Sequence, residues 1–259
     1  MRSAGCAAMP DAAAPGRHVS PLAGAFNFRD LGGLAAGPGH RVRPGVLFRS
    51  DTLQALTDAD VTRLVDELAV ELVIDLRIGP EAVSEGRGPL AAATVCYLNA
   101  PLRDLPVSDL DPREQSLHFY LEHLGSPSPT LPMVVAFVAA AAGRPTVLHC
   151  AAGKDRTGLV TALLLRLLGV ADEDIAADYL ATAHNMPRIV ERFAGWPRYR
   201  DHMAIVPAEV YQAQGHTIRG FLRGLDDRYG DALGWARSRG IPDGVISQLA
   251  AGLLEPNPS

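Results

Sequence analysis

The sequence predicts an α/β domain: a central sheet with many helices around it, then a C-terminal half that is almost wholly helical. Three observations carry this. Short β-rich runs alternate with helix-period segments as far as Leu168. From Asp172 onward nearly every stretch reads as helix. The chain has 259 residues, 47% hydrophobic and 20% charged, which suits one domain with a sizeable core.

Residues 1–20 are rich in Ala, Pro and Gly and lack periodicity, so a disordered tail is expected there and a single domain over 21–256. Asn27 to Gly33 mixes polar and glycine residues and suggests a structured turn, in which Arg29 or Asp30 either touches the loop at 151–156 or, as the preferred reading, supports the fold. Thr57 to Leu68 reads as a helix. Thr57 caps it, Asp58 and Asp60 suit its positive end, and Val61, Leu64, Val65 and Leu68 form one apolar stripe. Glu71 to Leu76 is a strand leading into Arg77, and Thr94 to Leu98 is another, with Cys96 in its core. Ser116 to Leu124 and Met133 to Ala142 read as helices. Thr146-Val147-Leu148 is a buried strand running into His149 and Cys150. After the loop Ala151 to Arg156, a strongly apolar helix runs from Thr157 to Leu168 and stops at Gly169. Helices then follow at Glu173–Ala183, Pro187–Phe193, Ala208–Gln214 and Thr217–Tyr229, with two more before Leu254.

Lys and Arg number 24 and Asp and Glu 29, a net charge of −5, which argues against broad nucleic-acid binding. No run reaches the ~18 to 20 apolar residues of a membrane-spanning helix, so no stable membrane insertion is expected. No continuous apolar stretch follows the early Arg2, so a classical signal peptide is not expected. Cys6, Cys96 and Cys150 are odd in number and far apart, which points to a reducing cytoplasm rather than a disulfide scaffold or a Cys-rich metal site. Neither a metal nor a cofactor is expected, and the oligomeric state is not readable.

The segment His149-Cys150-Ala151-Ala152-Gly153-Lys154-Asp155-Arg156-Thr157-Gly158 carries the chemistry. A tight loop between a strand end and a helix start turns successive backbone N–H groups inward and adds the helix's positive end. Such a nest, formed here by Ala151, Ala152, Gly153 and Lys154, welcomes a phosphate dianion and favours a thiolate at Cys150. Arg156, six positions on, closes the ring with a fork that fits two phosphate oxygens. Thr157 places a hydroxyl near the sulfur, and His149 holds the loop from a buried position. A cysteine at a strand end is ordinarily a small buried hydrophobe; here the Gly, Lys, Asp, Arg, Thr and Gly that follow outweigh that reading. A nucleotide-binding loop fails because Asp155, not Ser or Thr, follows Lys154.

Cys150-x5-Arg156-Thr157 resembles the signature loop of cysteine-dependent protein-tyrosine phosphatases. The fuller pattern is similar to the bacterial atypical branch typified by protein-tyrosine phosphatase B. Asn27 to Gly33, Phe48-Arg49-Ser50-Asp51, Asp75-Leu76-Arg77 with Glu81, Asp178-Tyr179-Leu180 and Tyr229-Gly230 add to the resemblance, which runs from about residue 20 to 254. It implies a phosphatase-like fold with a mostly parallel sheet. It also implies hydrolysis of phosphotyrosine, and of phosphoserine/threonine and phosphoinositides, through a phosphocysteine without a metal.

The general acid is open among three aspartates, because no Trp-Pro-Asp tripeptide is present. Asp155 comes first, since the resembled branch carries Asp there. Asp75 ends a strand at the same sheet edge, or forms a structural ion pair with Arg77 or Arg156. Asp104 follows the next strand and overhangs the pocket, or is a solvated turn. Arg49 and Arg77 line the pocket or make buried ion pairs. Lys154 is the single lysine among the 24 basic residues; beside Arg156 it suits a substrate with a second phosphate, or it pairs with a carboxylate. The stretch of about 172–211, with Phe193, Trp196, Met203 and Tyr211, forms a lid in the resembled branch or a packed helical subdomain. Two other functions compete: a rhodanese-like sulfurtransferase and a phosphate-binding pseudophosphatase. The partner expected is a phosphorylated protein or a phosphoinositide.

Overall fold

The computed structural model describes residues 22–103 and 110–258. The expected tail at 1–20, Cys6 and Asp104 lie outside the described residues. Five strands form the main sheet in the order β1-β3-β6-β4-β5, where β1 is Arg29–Asp30, β3 Leu47–Ser50, β4 Leu72–Asp75, β5 Cys96–Asn99 and β6 Thr146–His149. Strands β3, β6, β4 and β5 run parallel, and β1 pairs antiparallel to β3. A separate ribbon joins β2 (His40–Val42) to β7 (Leu254–Pro256), tying the two ends of the domain together.

Alternation along the strands divides the core. Leu47, Ile74 and Leu148 face one side, while Phe48, Val73 and Val147 face the other. The first side packs against α3 (Gln115–Gly125), α4 (Thr130–Ala140), α5 (Asp155–Leu167), the start of α6 (Asp172–Gly195), α8 (Gly215–Tyr229), α9 (Ala232–Ser238) and α10 (Asp243–Leu253). The second side is covered by α1 (Asp58–Thr62), a π-helical turn over Arg63–Glu67 and a 3-10 turn over Gly88–Ala92. Two shorter helices, α2 (Gly79–Glu85) and α7 (Pro197–Met203), flank the open end of the sheet. Among the described residues no helix is long and apolar enough to cross a membrane.

Parallel pairing has one consequence for function. Register places Ser50, His149 and Asp75 side by side, so the C-terminal ends of β3, β6 and β4 open on one edge. In open parallel sheets that edge is where ligands bind.

Several elements differ from expectation for identifiable reasons. The helix at 57–68 is capped as predicted, with the Asp60 N–H donating to Thr57 Oγ1 at 3.2 Å and the Thr57 N–H to Asp60 at 2.9 Å, but its second half widens into the π turn. Cys96 is exposed rather than in the strand core, because β5 is an edge strand and alternation turns Cys96 outward. The two helices expected at 173–183 and 187–193 are one 24-residue helix, α6, with Pro187 inside it. A proline removes one N–H from the ladder, and burial of Met186, Ile189 and Phe193 carries the helix past it. Ala208–Gln214 is a 3-10 turn over Ala208–Tyr211 only. Helix α5 starts at Asp155, two residues before the predicted start, so Asp155 and Arg156 sit in its first turn.

Candidate active site

The loop after β6 is shaped from behind. Its carbonyls each have a partner outside it: Ala151 O accepts from the Thr52 N–H at 3.0 Å, and Ala152 O from Asn27 Nδ2 at 3.3 Å. Gly153 O accepts from Asn27 Nδ2 at 3.1 Å and Arg49 Nη2 at 2.7 Å, and Lys154 O from the Tyr120 hydroxyl at 3.3 Å. With the carbonyls held outward, the amides face the opposite way, and the Gly153 N–H donates to Cys150 Sγ at 3.2 Å. Gly153 has φ +66°, and a Cβ there would stand 2.5 Å from Ser50 O, so the turn needs glycine. The 13-residue helix α5 points its positive end into the same nest.

The donors behind the loop are themselves fixed by buried charge. Asp178 on α6 takes Arg49 Nη1 in a short hydrogen bond and Arg29 Nε at 2.7 Å. Burial works to raise the Asp178 pKa, but the two guanidiniums outweigh it and hold the carboxyl below its usual range. Asp51 accepts from the Asn27 N–H at 2.9 Å and pairs with Arg192 at 3.1 Å. Burial pushes Asp51 up to about 6 against these partners.

Arg156 is gripped by Glu81 on α2 through a short bond from Nη1 and a second from Nη2 at 3.1 Å. Glu81 is buried, which works to raise its pKa; the Arg156 bonds and charge, the Ile78 N–H and Arg198 together hold it below the ordinary carboxylate range. This clamp fixes the plane of the guanidinium, which lines the same cleft as the loop.

Of the sequence candidates for the acid, Asp75 is closed off. It is fully buried, receives Arg77 Nε at 3.0 Å and Nη2 at 2.7 Å, accepts the Tyr97 hydroxyl at 2.7 Å, and lies 3.7 Å from His149 Nε2. Burial opposes its ionisation, but His149 and Arg77 pull it down to about 2. This is the ion pair with Arg77, and it keeps Asp75 out of the cleft. Arg77 likewise belongs to that pair, not to the pocket wall. His149 is pushed down by burial despite Asp75, and its Nδ1 lies 3.3 Å from Cys150 O, in the loop-holding position.

The open side is a cleft of about 450 Å³. The loop residues Ala151, Ala152, Lys154, Asp155 and Arg156 form its floor, with Glu81 beside them; Ser116 and Phe119 of α3, Phe193 of α6 and residues of the α7 region form its walls. Asp155 is one-third exposed and accepts from Ser116 Oγ at 2.8 Å. Lys154 behaves differently from the expected phosphate ligand. Its buried Nζ meets Val210 O at 2.6 Å, Gln212 O at 3.3 Å, Ser116 Oγ at 3.2 Å and Asp155 at 3.0 Å. Three ammonium protons facing four oxygens leave none for a substrate in this arrangement. Thr157 is also off expectation: it is fully buried and, among the described residues, its hydroxyl has no hydrogen-bond partner, the sulfur included.

The expected lid stretch is two things. The first half of α6 packs into the main core through Ile175, Ala176 and Tyr179. Met186, Ile189, Phe193 and Tyr199 form a separate cluster on Ala151, joined by the half-buried Phe26, Ala152, Trp196, Met203 and Tyr211. Tyr199 stacks on Phe193 with ring centroids 4.3 Å apart, and Tyr211 meets His202 Nδ1 at 2.7 Å. The sequence gives Glu81 no assigned role and does not single out Ser116, Phe119, Arg198, Tyr199 or Asp201 as site residues. Only Glu81, three residues after Ile78 at a helix start, carried a local signal. Among the described residues no group of three or more His, Cys, Asp or Glu is placed to hold a metal ion.

The tyrosine phosphatase family model matches residues 20–255. The triple specificity protein phosphatase PtpB of Mycobacterium tuberculosis is 30% identical over 281 residues, covering 91% of this chain and 99% of that protein. A tyrosine-protein phosphatase of Nostoc commune is 31% identical over 78% of this chain and 71% of its own. A Cupriavidus necator relative is 37% identical over 70% of this chain and 71% of its own.

Proposed function

Because this chain belongs to the tyrosine phosphatase family, we propose that it hydrolyses phosphate monoesters through a phosphocysteine on Cys150, with Arg156 and the loop amides binding the phosphoryl group. The observation that carries this is the outward anchoring of the carbonyls from Ala151 to Lys154, which leaves an anion nest around Cys150 Sγ. The sulfur attacks phosphorus as a thiolate; the S–P bond forms as the bond to the leaving oxygen breaks. The amides and the clamped Arg156 stabilise charge on the equatorial oxygens. Asp155, in the first turn of α5 and open to the cleft, donates a proton to the leaving oxygen. In the second step its carboxylate takes a proton from water, the water oxygen attacks phosphorus, and the S–P bond breaks to free inorganic phosphate.

Phosphotyrosine proteins are the substrate class the cleft favours, since aromatic and aliphatic side chains line the approach to the loop. Its size and the relative named for triple specificity support phosphoserine/threonine and phosphoinositides as further substrates. The second half of α6 with α7 covers the cleft. A reducing cytoplasm suits a catalytic thiol. The family match does not favour a sulfurtransferase or a non-catalytic adaptor. The test is p-nitrophenyl phosphate hydrolysis in a metal chelator: turnover is expected in the wild type, and its absence from a folded protein would overturn the reading.

A further inference from the structure

We propose that Arg198 reads a second negative charge on the substrate, namely an acidic side chain next to the phosphotyrosine. This rests on the phosphatase reading above and names the substrate class within it.

The cations around the site are nearly all committed. Arg156 is clamped by Glu81, Arg29 and Arg49 share Asp178, Arg77 is closed on Asp75, and Arg192 pairs with Asp51. Lys154, the obvious candidate from the sequence, is saturated by two backbone carbonyls, Ser116 and Asp155. Arg198 is the exception. It lies in the first turn of α7, is exposed and lines the cleft. Among the described residues it makes no ion pair, and it is near enough to Glu81 to lower that carboxylate's pKa. An uncommitted guanidinium therefore lines the same cleft as the loop, within electrostatic reach of the Glu81 that clamps Arg156. Asp201, one turn further along α7, lines the same cleft without pairing with Arg198.

The rest of the cleft lining decides what kind of molecule the second charge belongs to. Phe119, Phe193, Tyr199, Ile205, Val206 and Tyr211 are part of it. A phenyl ring loses little by entering such surroundings, whereas each ring hydroxyl of an inositol needs a polar partner. The geometry thus favours an aryl phosphate whose second anion is carried outside the ring, as on a peptide.

The experiment compares kcat/KM for a phosphotyrosine peptide flanked by Asp with the same peptide flanked by Asn. The wild type is expected to favour the acidic peptide by about three- to tenfold at low salt, less as salt rises, because the contact is exposed. Arg198→Gln should bring the ratio to about one, and Arg198→Glu should favour a Lys-flanked peptide instead. Asp201→Asn should move the ratio the other way, raising it. Ratios are unaffected by partial misfolding of a variant, since both peptides meet the same active fraction. Equal ratios in the wild type and Arg198→Gln would overturn the proposal. So would an Arg198-dependent preference confined to soluble inositol phosphates. A wild type inactive on both peptides and on p-nitrophenyl phosphate would overturn the phosphatase reading, and this inference with it.

Discussion

Behind Cys150, the loop rests on buried polar groups that satisfy one another: Asn27 and Arg49 hold its carbonyls, and Asp178 and Asp51 hold Asn27, Arg29, Arg49 and Arg192. In front, the wall made by the end of α6, by α7 and by the 3-10 turn rests on an apolar cluster and the Lys154 contacts with Val210 and Gln212. Directional bonds in a dry interior fix positions to a fraction of an ångström, because each unmade bond is costly. Apolar contact is non-directional and tolerates rearrangement. The rear therefore sets the transition-state geometry, and the front sets which substrates reach it.

The largest test of that division is Asp178→Ala. It leaves Arg29 and Arg49 without their carboxylate and should cost roughly 3–5 kcal/mol in urea unfolding, with loss of turnover in whatever remains folded. A variant of near wild-type stability would show that the rear network is not what holds the loop.

Asp155→Asn comes next. It should lower kcat by roughly 10²-fold on phosphotyrosine, with a smaller loss on p-nitrophenyl phosphate, whose leaving group needs little protonation. Equal losses on both would assign Asp155 to binding instead.

Asp75 separates structure from catalysis at the rear. Its folded pKa of about 2 lies below the ordinary aspartate value of 3.8, so its contribution is present above pH 3.8 and is lost as pH falls toward 2. Asp75→Asn should thus cost roughly 2–3 kcal/mol at pH 7, and the gap to wild type should narrow across that acid window. A displaced pH profile for kcat in this variant would give Asp75 a part in the chemistry after all.

The smallest effect is expected in front. Lys154→Met removes the polar tie to the 3-10 turn and should raise KM about tenfold, in line with the loss of one or two charge-assisted hydrogen bonds. Amide exchange at 208–212 should quicken while the loop amides at 151–154 keep their protection. Faster exchange at both would mean that the two regions are not independent.

What was legible in the sequence follows from locality. The span from Cys150 to Arg156 lies in one strand, loop and helix, so spacing alone discloses an anion nest and the residues around it. The partners that shape the nest come from far away in the chain: Arg49 and Asp178 are 129 positions apart, and Lys154 and Val210 are 56 apart. One sequence contains no signal for such pairs, so the Val210 and Gln212 carbonyls that hold Lys154 are not foreseeable, whereas the Asp75–Arg77 ion pair, two residues apart, is one of the alternatives the sequence offers. Strands as short as Arg29–Asp30 and Leu47–Ser50 carry too little periodicity to register. Pro187 read as a helix boundary because local geometry disfavours it mid-helix, whereas burial of its neighbours decides otherwise.

The most direct test of the central claim is to trap the covalent intermediate. Wild-type protein and Cys150→Ser are mixed with p-nitrophenyl phosphate in a chelator, quenched within the first turnovers and analysed by intact and peptide mass. The account predicts one added phosphoryl group on the peptide carrying Cys150 in the wild type and none in the variant, which should have lost turnover. A phosphoryl group on any other residue, or undiminished turnover by Cys150→Ser, would contradict it.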